Sequence, residues 1–453
     1  MFETQSSRKR LLLATTGLGT VMTTMSFLGV MSPASAASLV VSAENTFARQ
    51  LTSTGNATLS GTMVRLITTA ATLTTGNFVT FALPSGMTFA ANPTVGFSAG
   101  VNLSLVVSSG GSGAQSIVYQ VTAASSGSTN VSLTGIQVSG LQTYVSTNSA
   151  ATTFNISATV PADTATQQGS AGSTIVANIA DSASATAAAG AAQTIDVASG
   201  GTRFVSGTGT ALFAPLGTVT FANSAIAPND VGGGTAVSMT AQGGTLTVSG
   251  SLSGISTVYA IATAVATTCA TAAPSGAFTA TPGSSSATLT GLSVSAFQVC
   301  AIANGSSVLS NGSITVRGGV TTSNNSSITG TTTSNAVGYS GTVRTSGYFV
   351  GVTGGYSSFA YAVNGGTSAS TALVSVRRSD GATAVGSLSS LAAGASALYG
   401  ASDINTAVGS TFLGDSSSRA QVTFLFGSSS VKMTGLLLNP TGVVTNMGAT
   451  FSD

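Results

Sequence analysis

The 453-residue sequence contains no histidine and no tryptophan. Without histidine there is no Ser-His-Asp triad, no Cys-His dyad and no His-ligated zinc or haem. Charge is almost as scarce: 12 Lys and Arg, 10 Asp and Glu, 5% of the chain, against roughly 25% in an ordinary soluble protein. So few scattered cations leave no electrostatic footprint for nucleic acid. Disorder is excluded from the other side. Disordered chains are poor in apolar residues and rich in charge, whereas this one is 43% hydrophobic with mean hydropathy +0.45.

The acidic residues that could do chemistry are spread thin. Beyond the first 36 residues they are Glu44, Asp163, Asp181, Asp196, Asp230, Asp380, Asp403, Asp415 and Asp453, no two within ten residues of each other. A calcium loop needs six to eight oxygen ligands, often from carboxylates close in sequence. No local motif therefore indicates calcium, although a site assembled from distant loops or carbonyls stays open. A glycosidase needs two carboxylates in one cleft, usually beside aromatic platforms that this chain is short of. Gly232-Gly233-Gly234 and Gly365-Gly366 are followed by no Lys-Ser/Thr pair and read as turns, not phosphate loops. The expectation is a protein that is not an enzyme and has no cofactor.

What is present starts with an address. Arg8, Lys9 and Arg10 precede an uncharged, largely apolar stretch from Leu11 to Val30, and Ser32-Pro33-Ala34-Ser35-Ala36-Ala37 follows. Small residues at Ala34 and Ala36 fit the signal-peptidase rule, so residues 1–36 read as a secretory signal peptide cleaved between Ala36 and Ala37. Cleavage removes Glu3, Arg8, Lys9 and Arg10, leaving nine residues of each sign and no formal net charge. Neutrality favours association over dispersal. Two cysteines, Cys269 and Cys300, in an exported chain read as one disulfide.

Period-two alternation runs through the remainder. Val79, Phe81 and Leu83; Ile117, Tyr119 and Val121; Leu246 and Val248; Val374 and Val376; and Val422, Phe424 and Phe426 each alternate with mostly small or polar residues. Such spacing buries one face of a strand and leaves Ser and Thr on the other. Val131, Leu133, Ile136 and Val138 follow the same rule, with Gly135 breaking the count. Asn304-Gly305, Asn311-Gly312, Asn364-Gly365-Gly366 and Asp380-Gly381 supply turns. Only Ser402–Gly409 reads as a helix, with Ser402 as cap, Asp403 complementing the dipole and Gly409 ending it. The alanine-rich stretch from Asp181 to Ala192 reads as strand or linker. The expected architecture is all-β: tandem antiparallel, Ig-like β-sandwich domains at 37–198, 199–320 (with the disulfide) and 337–453, and a polar linker at 321–336.

Several of these segments carry a resemblance. Tyr348-Phe349-Val350, Val374-Ser375-Val376, the run Leu388–Ser396, the Ser402–Gly409 helix and Leu436–Gly442 resemble the C-terminal β-sandwich of secreted bacterial surface proteins. The middle unit, with Cys300–Gly305, is similar to a domain that often precedes it. The first unit, with Phe81–Phe89, is similar to sandwich modules of adhesive and surface-layer chains. The resemblance implies a cell-surface structural component, including surface-layer subunits of Gram-negative bacteria. It departs from many such proteins in lacking acidic calcium repeats.

The function expected is a secreted structural protein that self-assembles at the bacterial cell surface. Its partners would be copies of itself and, beyond them, cell-surface polysaccharide or lipopolysaccharide. Two alternatives compete: an adhesin or carbohydrate-binding surface protein, and an outer-membrane β-barrel, against which the missing aromatic girdle counts. Tyr348, Tyr356 and Tyr361, with the charge cluster Arg377, Arg378 and Asp380, are the candidate contact surface, because tyrosine and arginine are enriched at interfaces. The competing readings are partly buried sheet tyrosines and a solvated hairpin end.

Overall fold

The computed structural model describes residues 37–51, 54–68, 73, 75–97, 104–124, 129–160, 172–206, 209–226, 228–231, 235–283, 285–351, 356–409, 411–413, 419–446 and 451–452. The expected signal peptide lies outside these residues, as does Ala36 of the expected cleavage site; Ala37 opens the first strand, Ala37–Val41. The described chain is β-rich, with seven sheets and two short α-helices. The sheets form tandem sandwiches around three main apolar cores.

In the first unit a six-stranded sheet faces a layer of one four-stranded and one three-stranded sheet. Alternation sets which side chains meet. Val79, Phe81, Ile117, Tyr119 and Val121 are buried, whereas Val118 and Gln120 between them are half-buried. Gly135, at φ 63°, is where the chain leaves the four-stranded sheet at Thr129–Thr134 and enters the three-stranded one at Gln137–Ser139. Val131, Leu133, Ile136 and Val138 all stay buried across that switch. A helix not foreseen, Leu141–Thr147, follows Gly140 and lays Leu141 and Val145 on the core.

The second unit pairs a five-stranded sheet with a seven-stranded one. Two expectations fail here. The strand Ala183–Ala189 pairs along its whole length with Phe213–Asn223, so this part of the expected first domain (37–198) belongs to the second sandwich. The expected linker 321–336 contains most of the strand Ser327–Tyr339, held between Gly312–Thr322 and Gln193–Ile195. Its polarity reflects a solvated face: only Asn335 and Val337 are buried in it, and β-branched Thr suits an exposed pleat.

The third unit packs a five-stranded sheet against a four-stranded one around Phe349, Val374, Val422, Phe424 and Phe426. The helix is Ala401–Val408. Its cap is Gly400, two residues before the expected Ser402, and Asp403 Oδ2 accepts the Gly400 N–H at 2.8 Å. Gly409 ends it at φ 69°, as expected. No described sheet closes on itself, and the apolar faces turn inward. The outer-membrane barrel, whose apolar face must turn outward, does not describe this architecture.

Neighbouring units are joined by contacts of different kinds. Asn229, in the loop between Phe213–Asn223 and Met239–Gly250 of the second unit, bridges in parallel to Phe47, at the edge of the first unit's six-stranded sheet. Ala48 N donates to Asn229 O at 2.9 Å and Asn229 N to Thr46 O at 3.0 Å. Val231 and Val237 from the same loop are buried in the first unit's core. Gln50 completes the join: its Nε2 donates to Asp181 Oδ1 at 2.7 Å, and its Oε1 accepts from Ser182 N and Oγ. Between the second and third units, Val197, Leu373 and Leu425 form a small apolar cluster with Val308, Tyr339 and Val343 against it.

Candidate functional site

The expected disulfide is present, with Cα atoms of Cys269 and Cys300 5.8 Å apart. It lies outside the sandwich core. On the strand Ala296–Ala303, Phe297, Val299 and Ala301 face the core, while Cys300 and Ile302 face outward, beside Tyr259 and Ile261. The bond ties the excursion after Ile255–Ala262 onto that outer face, and Ala270 N donates to Tyr259 Oη at 2.7 Å. Both cysteines are buried, so the pair is a staple, with no exposed thiol chemistry.

The candidate contact residues are divided between two faces. Tyr361 lies on the outer face of the four-stranded sheet, in register with Leu398 and Thr434, and is exposed. Tyr356 is also exposed. The side chain of Tyr348 lies outside the described part of the structure; its backbone belongs to Thr342–Val350 in the other sheet. Arg377 and Arg378 end the strand Ser370–Arg378 in that five-stranded sheet. Tyr361 and the arginines therefore lie on different sheets.

The two arginines also differ. Arg378 Nη2 pairs with Asp380 Oδ2 at 2.8 Å, and its guanidinium sits 5.9 Å from the Phe412 ring centroid. It is the hairpin end expected of it. Arg377, one residue earlier, points to the opposite face. There its side chain is exposed and makes none of the hydrogen bonds or ion pairs found among the described residues.

That opposite face is graded, and strand register shows how. Leu373 is level with Leu425, and Val343 with Leu425, in the layer covered by the second unit. Ser375 and Thr423 form the next layer, beside Thr345, whose Oγ1 is 3.1 Å from Thr423 Oγ1. Arg377 is level with Gln421 and Thr383 in the layer after that. The second unit overhangs the hydroxyl layers with Gly250–Ser253 and Val308–Gly312. A groove of about 720 Å³ remains between the units, with Arg377 as its one charged lining residue. Ser253, Val308 and Val385 also line a neighbouring hollow of about 510 Å³, bounded by Tyr399 and Asp403. Tyr399 Oη donates to Ser389 O at 3.2 Å, and burial together with the Asp403 charge raises its pKa. Volumes of this size are typical of ligand sites.

Sequence reasoning singled out Arg377 but missed Ser375, Gln421, Thr423 and Thr383. Their signal was in the alternation itself, as the residues between Val374 and Val376 and between Val422 and Phe424. What covers that face depends on a contact between units. Among the described residues no three His, Cys, Asp or Glu side chains converge as metal ligands.

No family model and no curated protein sequence matches the chain. Solved structures similar to parts of it include a collagen adhesin from S. aureus, at 9% identity and TM-score 0.19, over 67% of this chain and 93% of that one. A marsupial T cell receptor matches at 9% identity and TM-score 0.19, over 91% and 98%. Domains 4–9 of a surface-layer protein match at 11% identity and TM-score 0.15, over 69% of this chain and 32% of that one. Scores so low, shared between bacterial and vertebrate sandwiches, carry no functional argument.

Proposed function

We propose that the chain is a structural subunit of the bacterial cell surface that associates with copies of itself, as in a surface layer or extracellular matrix. The observation that carries this reading is the strand Ser104–Gly110. It ends the first unit's six-stranded sheet among the described strands. It holds no charge and no proline, and Val106 and Val107 are 48% and 43% exposed. The opposite edge of the same sheet is covered by Asn229. An exposed edge offers unpaired N–H and C=O groups to a second chain; register shifts at Ser104/Leu105 and Val107/Ser109 bend this one, but it carries no Lys or Pro to block pairing.

Two further features support the reading. Residues 37–453 hold nine charges of each sign, so copies approach without net repulsion. The disulfide suits an oxidising, extracytoplasmic setting. No residue is given a catalytic role. Contacts that do not close on themselves propagate, which is what a layer requires.

Sedimentation of residues 37–453 over a range of concentrations, with and without Ca²⁺, tests this. Concentration-dependent assembly is expected, and Val106→Lys, which places a charge on the open edge, is expected to suppress it. A strictly monomeric chain under all conditions overturns the proposal.

A further inference from the structure

We propose that the groove between the second and third units binds an acidic polysaccharide, with Arg377 holding a carboxylate of a uronic-acid-type sugar. The inference goes beyond self-association and does not depend on it.

Three observations converge. First, Arg377 is exposed and lines the groove, and its guanidinium has no ion-pair or hydrogen-bond partner among the described residues, whereas Arg378 beside it is paired with Asp380 and lies over the Phe412 ring. A planar guanidinium offers parallel N–H donors that match a carboxylate. Second, the floor beyond Arg377 is built of Ser375, Thr383, Gln421 and Thr423. Hydroxyls and an amide both donate and accept, which is what ring hydroxyls of a sugar need. Third, the apolar layer of the same sheet, Leu373 and Leu425, is already covered by the second unit. Little apolar surface is left to recognise a lipid chain or the large side chains of a peptide. With its single cation and hydroxyl floor, the groove favours a polyhydroxylated chain carrying spaced negative charge.

The groove continues toward Tyr399 and Asp403. Asp403 is a carboxylate at the far end from Arg377, so a ligand with acidic groups on every sugar would meet repulsion there. A polymer that alternates acidic and neutral sugars fits the two ends better than a fully acidic one.

The test is calorimetric titration of residues 37–453 with an oligosaccharide alternating glucuronate and a neutral sugar, against a neutral glucan, a fully acidic galacturonate oligomer and an Asp-rich peptide. The alternating probe is expected to bind most tightly. Arg377→Gln is expected to weaken it by about tenfold or more, the worth of a charge-assisted pair. Arg377→Lys should keep part of the affinity, and Arg378→Gln should keep it all. Equal binding of the neutral glucan, stronger binding of the peptide, binding unchanged in Arg377→Gln, or no binding of either acidic saccharide would each overturn the proposal. Sedimentation of Arg377→Gln is run in parallel. Assembly is expected to persist in it, which separates a failure of this site from a failure of the strand-edge reading.

Discussion

At the junction of the first and second units, backbone hydrogen bonds and amides frame an inserted apolar loop: Asn229 adds to the sheet edge at Phe47, Gln50 bridges Asp181 and Ser182, and Val231 and Val237 enter the first core. At the junction of the second and third units the contact is mainly apolar, Val197 against Leu373 and Leu425, with one side-chain bond from Thr371 Oγ1 to Val197 O at 2.7 Å and a hydroxyl-lined crevice beside it. Directional bonds fix register, so the first join sets orientation. Apolar contact is non-directional, so the second join holds the units together while leaving room for a ligand. A chain this poor in charge has few other ways to fix two domains, and it weights the two kinds of contact differently at its two joins.

The largest effect that would break this contrast is at Leu373, which is fully buried at the second junction. Leu373→Ala should cost about 2–4 kcal/mol and split off the third unit's transition in calorimetry. One cooperative transition at the wild-type temperature would show that the junction contributes nothing. Val237→Ala, in the loop inserted into the first core, should cost about 1–2.5 kcal/mol, from ~0.8 kcal/mol per buried carbon plus a cavity term. Urea titration should show that loss in the transition of the first two units together.

Tyr339 sharpens the comparison by pH. It lies against the second junction, donates to Leu309 O at 2.8 Å, and burial pushes its pKa up to about 12. A raised pKa in the folded state means its contribution is complete below pH 10 and is lost as pH rises from about 10 toward 12. None of the side chains named at the first junction is a tyrosine. Tyr339→Phe should cost about 1 kcal/mol at neutral pH and flatten the alkaline loss at the second junction; a pH–melting profile identical to wild type would refute this. The smallest effect is at Asp181, whose side chain is exposed and pairs with the half-buried Arg49 at 3.3 Å. Asp181→Asn should change stability by under about 1 kcal/mol, as read by urea titration. A larger loss would mean that charge, not backbone pairing, holds the first join.

Strands whose inner face is Val, Ile, Leu or Phe were legible because alternation alone identifies them, as at Ile117–Val121 and Val422–Phe426. Ala183–Ala189 was not, and packing explains why. A Cβ added at Gly318 would lie 2.7 Å from Ala185 Cβ. Backbones approach so closely there that only small residues fit, and small residues carry no hydrophobic period. Ser327–Tyr339 was hidden for a related reason: Gly330 meets Ala185 so closely that an added Cβ would lie 2.6 Å from Ala185 Cβ, and its Thr and Ser residues are all half-buried or exposed. In the candidate site, Arg377 was visible as a charge in a nearly uncharged chain. The groove floor was not, since Ser375 and Thr423 differ from other strand hydroxyls only in what lies above them.

The position of the disulfide has a consequence of its own. Because it fastens a flap to the back of one sheet, a reductant would leave the second sandwich standing but partly undressed, with Tyr259, Ile261 and Ile302 turned toward water. In a molecule with so little charge to keep it dispersed, losing one covalent bond would create a sticky patch before it caused any unfolding.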